Sequence, residues 1–135
     1  MAVKQLTVFL ENHQGQLVQV TDLLAKNGID MRALSIADTQ DFGILRLIVN
    51  DTQKALSILR DGDYLVQITE VVGAAIPDKP GELSRALSLL DQSNINLEYL
   101  YAFLTNTEGS AQMVFRVADN IAAAKVLKEA GYEVL

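Results

Sequence analysis

The segment Ile76-Pro77-Asp78-Lys79-Pro80-Gly81-Glu82-Leu83 decides how this chain is read. An apolar strand pattern, Val71 to Ile76, leads into it. A helical pattern follows, with Leu83, Ala86, Leu87 and Leu90 on one face. A weaker copy of the same layout occurs earlier, at Leu10-Glu11-Asn12-His13-Gln14-Gly15-Gln16-Leu17. Gly81 follows Gly15 by 66 positions, and that offset relates most of the chain to itself.

Working outward, Lys4 to Leu10 alternates, with Leu6, Val8 and Leu10 on one side, as a half-buried strand does. Leu17, Val20, Leu23 and Leu24 recur at helical spacing, and Asn27-Gly28 supplies the stop. Ile29 to Asp38 reads as a second strand, Gln40-Asp41-Phe42-Gly43 as a turn, and Ile44 to Val49 as a third strand. Asp51 or Thr52 can cap a helix whose inner face is Ala55, Ile58 and Leu59, ended by Asp61-Gly62-Asp63. From Tyr64 the chain stays strand-like to Ile76.

The same order then repeats. Ser93-Asn94 stands where Asn27-Gly28 stood, and Gly28 and Asn94 both tolerate a left-handed backbone. Ile95 to Leu104 matches Ile29 to Asp38, and Gly109 matches Gly43. Beyond that hairpin the offset becomes 68, so Asp119, Ala123, Leu127 and Tyr132 match Asp51, Ala55, Leu59 and Tyr64. Each half is therefore β-α-β-β-α-β. The expected fold is α+β: two tandem ferredoxin-like βαββαβ modules, residues 1–69 and 70–135, each an antiparallel sheet with helices on one face. With no Gly/Ser/Pro-rich linker between them, a rigid junction is expected. The stretch Asn96 to Leu104 is apolar on both faces, which points to packing between modules or chains.

Half of the 135 residues are hydrophobic and the net charge is −6, so phosphate backbones and anionic membrane surfaces make poor partners. The 11 basic residues form no run. No cysteine is present, which excludes disulfides, thiolate chemistry and cysteine-ligated metals. No leader-like or bilayer-length apolar run occurs, and a cytoplasmic location is expected.

The repeated turn resembles that of the ACT domain, a small amino-acid-sensing module, and the resemblance covers both halves. Asp78, Pro80, Gly81, Leu83 and Asn96 match that family's pattern in the second repeat. In the first, Asn12, Gly15 and Leu17 fit, whereas Gln14 replaces the usual proline and Asp30 the usual asparagine. The resemblance implies ligand binding at module junctions, with the Gly15 and Gly81 loops each facing a neighbouring module, and a homodimer.

The chemistry supports such a site. A helix N-terminus presents unpaired N–H groups and partial positive charge to a carboxylate, and glycine lets the ligand approach the backbone. Asn12 with Asp30, and Asp78 with Asn96, each offer one amide and one carboxylate for an α-ammonium. His13, Gln14, Gln16, Lys79, Pro80 and Glu82 complete the candidate loops; His13, the one histidine, reads as a solvated or loop-packing residue that could contact a ligand's side chain if the first repeat binds one. The competing reading is structural, because Asx residues before helices are common N-caps and Pro-Gly is common turn chemistry. The Asp38/Asp41 and Asp61/Asp63 pairs read as solvated turn residues. No nucleophile–base pair, metal cluster or cofactor loop is evident, so neither catalysis nor a cofactor is expected.

The leading expectation is a non-catalytic sensor of a free amino acid that regulates metabolism. The alternative is a docking subunit of an amino-acid biosynthetic enzyme, similar to the small subunit of acetolactate synthase. The expected partners are the amino acid, a second copy of the chain and, under the alternative, a metabolic enzyme.

Overall fold

A computed structural model describes residues 3–11, 13–38, 42–104 and 108–135. Eleven elements follow in order: β1 (Val3–Glu11), α1 (Gln16–Lys26), β2 (Met31–Asp38), β3 (Phe42–Val49), α2 (Thr52–Asp61), β4 (Leu65–Pro77), α3 (Glu82–Gln92), β5 (Leu97–Ala102), β6 (Ser110–Val117), α4 (Asn120–Glu129) and β7 (Glu133–Val134). The chain divides into two compact units, Lys4–Thr69 and a second built on Glu70–Leu135. The expected βαββαβ order is present twice.

In the first unit the strand order is β2-β3-β1-β4, and β1 and β2 both pair antiparallel with β3. The register sets Leu6 against Leu47 and Val8 against Leu45, so the alternating apolar residues share one face. Val20 and Leu24 of α1 and Ala55 and Leu59 of α2 close over that face, all fully buried. The second unit repeats the plan in the order β5-β6-β4-β7. Phe115 and Val117 of β6 meet Ala86 and Leu90 of α3 and Ala123 and Leu127 of α4.

Helix ends are alike throughout. All four helices close with a residue of positive φ: Gly28 at 71°, Asp63 at 67°, Asn94 at 58° and Gly131 at 94°. In each case the next residue's N–H reaches back to a helix carbonyl, as Ile29 does to Leu24 at 3.0 Å and Ile95 to Leu90 at 2.9 Å. Ile29 and Ile95 thus finish their helices, and the following strands begin at Met31 and Leu97, later than periodicity suggests. At the end of α2 the left-handed residue is Asp63, while Gly62 has an ordinary φ of −83°.

A two-against-one bulge opens the second strand of both units, between Met31 and Ala33 and between Leu97 and Tyr99. Leu97 before it and Leu100 after it pack on the helix side of β5, and the stacked rings of Tyr99 and Tyr101, 6.4 Å apart, lie on the other. The Gly43–Gly109 correspondence holds in sequence but not in conformation. Gly109 is a turn residue with φ 83°, whereas Phe42 and Gly43, expected in the turn Gln40-Asp41-Phe42-Gly43, belong to β3. Gln40 and Asp41 lie outside the described residues.

Candidate functional site

The two glycine loops have one geometry. Gly15 sits at the N-cap of α1 with φ 91° and ψ −12°, and Gly81 at the N-cap of α3 with φ 85° and ψ −10°. Only a residue without Cβ holds that conformation at no cost. A Cβ built on either glycine meets nothing within 4 Å, so the space before each helix is open. The turns close on themselves: the Gln16 N–H donates to the His13 carbonyl at 3.4 Å, and Glu82 N–H to the Lys79 carbonyl at 3.2 Å.

Neither helix has a side-chain cap. The contrast lies in the same units. Asp51 accepts from the Lys54 N–H at 3.1 Å, and Asp119 from the Ala122 N–H at 3.0 Å. Each unit thus has one helix capped by an aspartate and one opened by a bare glycine. The N-cap reading of Asp78 therefore does not describe α3, whose N-cap is Gly81; the cap expected at Asp51 or Thr52 is Asp51. Asn12 lies outside the described residues.

The other loop residues are at the surface. His13 is exposed, with Nε2 3.1 Å from Glu11 Oε2 and Nδ1 3.1 Å from the Gln14 carbonyl. Gln14, Asp78, Lys79 and Pro80 are exposed, and Gln16, Leu17, Glu82 and Leu83 are half-buried. Asp78 is tied by its backbone, donating to the Gly109 carbonyl at 2.9 Å.

Asp30 and Asn96 are elsewhere. Leu10 and Asp38 both register with Gly43, at the loop end of the first sheet, while Met31 registers with Val49 at the far end. Asp30 precedes Met31, a helix length from Gly15, roughly 16 Å for eleven residues. Its carboxylate accepts from Arg32 Nη1 at 3.0 Å. In the second unit Pro77 pairs with Ser110, whereas Leu97 pairs with Val117 at the opposite end, and Asn96 goes with it. Within one unit, then, the Asp78–Asn96 pair is not assembled, nor is Asp30 beside the Gly15 loop. The crossover helix carries the chain to the other edge before the second strand begins.

Sequence reading missed two features beside the loops. In the second unit Arg85 Cζ lies 5.0 Å over the Tyr132 ring, its Nη2 donates to the Ala130 carbonyl at 3.2 Å, and Glu82 Oε2 is 4.0 Å from Nη1. In the first, an open groove of about 440 Å³ lies beside the Gly15 turn, walled by Phe9, Phe42 and Tyr64. Tyr64 and Tyr132 are the only aromatic residues kept at matching positions of both repeats, which was the available signal. A larger groove of about 810 Å³, over Val72, Ile121 and Ala124, lies midway along β4, beside the start of α4. It is at the sheet end opposite Gly81, so the candidate site remains at the loops.

Strand order, helix faces and the twice-used glycine turn define a tandem split-βαβ protein. The chain belongs to the ACT domain pair family, whose model matches residues 1–134. It is similar to protein BT0572 from Bacteroides thetaiotaomicron, with 41% identity, a TM-score of 0.93, and 100% of this chain and 92% of that one covered. The fold is shared with the ligand-free regulatory subunit of aspartate kinase from Thermus thermophilus, at 14% identity, a TM-score of 0.71 and coverage of 95% and 92%. It is also shared with the regulatory subunit of aspartate kinase from Thermus flavus, at 15% identity, a TM-score of 0.65 and coverage of 94% and 91%. Among curated protein sequences, none matches the chain. No described helix is long and apolar enough to cross a membrane.

Proposed function

We propose that this chain is a non-catalytic sensor that binds a free amino acid at the Gly15 and Gly81 loops and regulates metabolism through its ligand state. The observation that carries this reading is the pair of uncapped helix starts. A protein that caps α2 and α4 with aspartate leaves α1 and α3 open behind glycines, in front of free space. Open N–H groups at a helix start suit a carboxylate.

The candidate residues divide into two sets. Asn12, His13, Gln14, Gly15, Gln16 and Leu17 form one loop, and Asp78, Lys79, Pro80, Gly81, Glu82 and Leu83 the other. Asp30 and Asn96, at the far ends of their own sheets, serve an α-ammonium only when contributed to the loop of a different module. A homodimer would bring further modules to these loops. The regulatory subunits that share the fold accord with a regulatory role.

The test is a thermal-shift screen of the full chain against the twenty amino acids, followed by calorimetry. A ligand at a hundred times its Kd adds about 2.7 kcal/mol to stability. One selective hit, lost in Asp78→Ala more than for the deaminated analogue, supports the sensor. No shift with any of the twenty overturns it and favours the docking-subunit alternative.

A further inference from the structure

We propose that the groove beside the Gly15 turn binds a small molecule carrying a guanidinium or primary ammonium on an aliphatic stem. The chain's own second repeat holds such a cation in the equivalent place. There Arg85 supplies the guanidinium, and its receptor has three parts. One is the Tyr132 ring, 5.0 Å below; another is the Ala130 carbonyl at the C-cap of α4, 3.2 Å away; the third is the Glu82 carboxylate, 4.0 Å away and also accepting from the Tyr132 hydroxyl at 3.3 Å. An aromatic face, a helix-end carbonyl and a carboxylate are what a guanidinium needs.

At the matching positions the first repeat keeps two parts of the receptor, the aromatic ring and the helix-end carbonyl, and loses the cation together with the carboxylate that pairs with it. Tyr64 stands for Tyr132, and Gly62, the C-cap of α2, stands for Ala130. Gln19 replaces Arg85, and Gln16 replaces Glu82. Gln19 is shorter and uncharged, and its Oε1 is 3.4 Å from the Tyr64 hydroxyl. The groove of about 440 Å³ is found here, with Gly62, Tyr64 and Gln19 in its wall.

Its charge fits the same ligand. Glu11 and Asp63 line the groove, and among the described residues no lysine or arginine does. The C-terminal end of α2 adds partial negative charge. On the other side the rings of Phe9 and Phe42, edge to face at 6.1 Å, offer an apolar wall for a stem of three or four methylenes. This deepens the amino-acid reading by naming the side-chain class, since Gln16 borders both groove and turn. It stands on different groups, however, and can fail separately.

Calorimetry of the full chain with L-arginine, agmatine and L-citrulline tests it. Citrulline keeps arginine's shape without its charge, and agmatine keeps the guanidinium without the carboxylate. Arginine and agmatine are expected to bind, with citrulline at least tenfold weaker. Gln19→Arg, which copies the second repeat, is expected to abolish agmatine binding without lowering the Tm. Arg85→Gln is expected to add a second equivalent of agmatine. Citrulline binding as well as arginine, agmatine binding unchanged in Gln19→Arg, or no binding of either cation at millimolar concentration overturns the proposal.

Gly15→Asn, which retains the left-handed turn but puts a side chain before the helix, separates the two readings. If agmatine and arginine bind equally and neither responds to Gly15→Asn, the groove stands and the amino-acid reading at that loop falls. If arginine and citrulline bind equally and both are lost in Gly15→Asn, the loop stands and the groove falls.

Discussion

Gly15 and Gly81 hold the same left-handed backbone to within a few degrees, each one residue before an 11-residue helix and each facing open space. Crowding therefore does not explain why both are glycine; backbone conformation does. Gly15→Ala and Gly81→Ala should each lower stability by about 1–2 kcal/mol, the cost of holding an L-residue there. Gly81→Asn should cost less, because asparagine tolerates that region. Urea denaturation of the three variants measures the order, and an alanine variant as stable as the parent would contradict it.

The aspartates divide by task. Asp51→Ala and Asp119→Ala should each cost about 1 kcal/mol, because each removes a bond to a first-turn N–H. Asp78→Ala should be within about 0.5 kcal/mol of the parent, since it is exposed and caps no helix. Thermal unfolding of the three variants side by side checks this contrast.

Asp63 and Asn94 occupy helix-ending positions that Gly28 and Gly131 fill elsewhere in the chain. Asp63→Gly should raise stability by a few tenths to about 1 kcal/mol, as relief of the left-handed strain exceeds the added unfolded-state entropy. Asn94→Val should lower it by more than 1 kcal/mol, because a β-branched residue is poorly accommodated at positive φ. A rise in Tm for the first and a fall for the second are the expected readouts.

Gly73 is constrained by packing. A Cβ there would lie 3.0 Å from Leu135 Cδ1, 3.1 Å from Val3 Cγ2 and 3.2 Å from Leu135 Cβ. Gly73→Ala should destabilise by about 1–3 kcal/mol, the range for overpacking. Gly73→Ala combined with Leu135→Ala should recover part of the loss, and a double-mutant cycle gives the coupling.

The sequence by itself determined the repeat, the order of elements and the inner face of every helix. Leu6, Val8 and Leu10, Val20 and Leu24, and Ala86 and Leu90 are buried as their spacing requires, because side-chain direction follows from local backbone period. The helix stops were legible at Gly28 and Asn94 for the same local reason. Tertiary structure decided what local period cannot. It sent Asp30 and Asn96 to the far ends of their sheets, because a crossover helix displaces the second strand's start by its own length. And it set Arg85 over Tyr132 but left the matching space beside Tyr64 open, a difference that arises only when residues 45 or more positions apart are brought together.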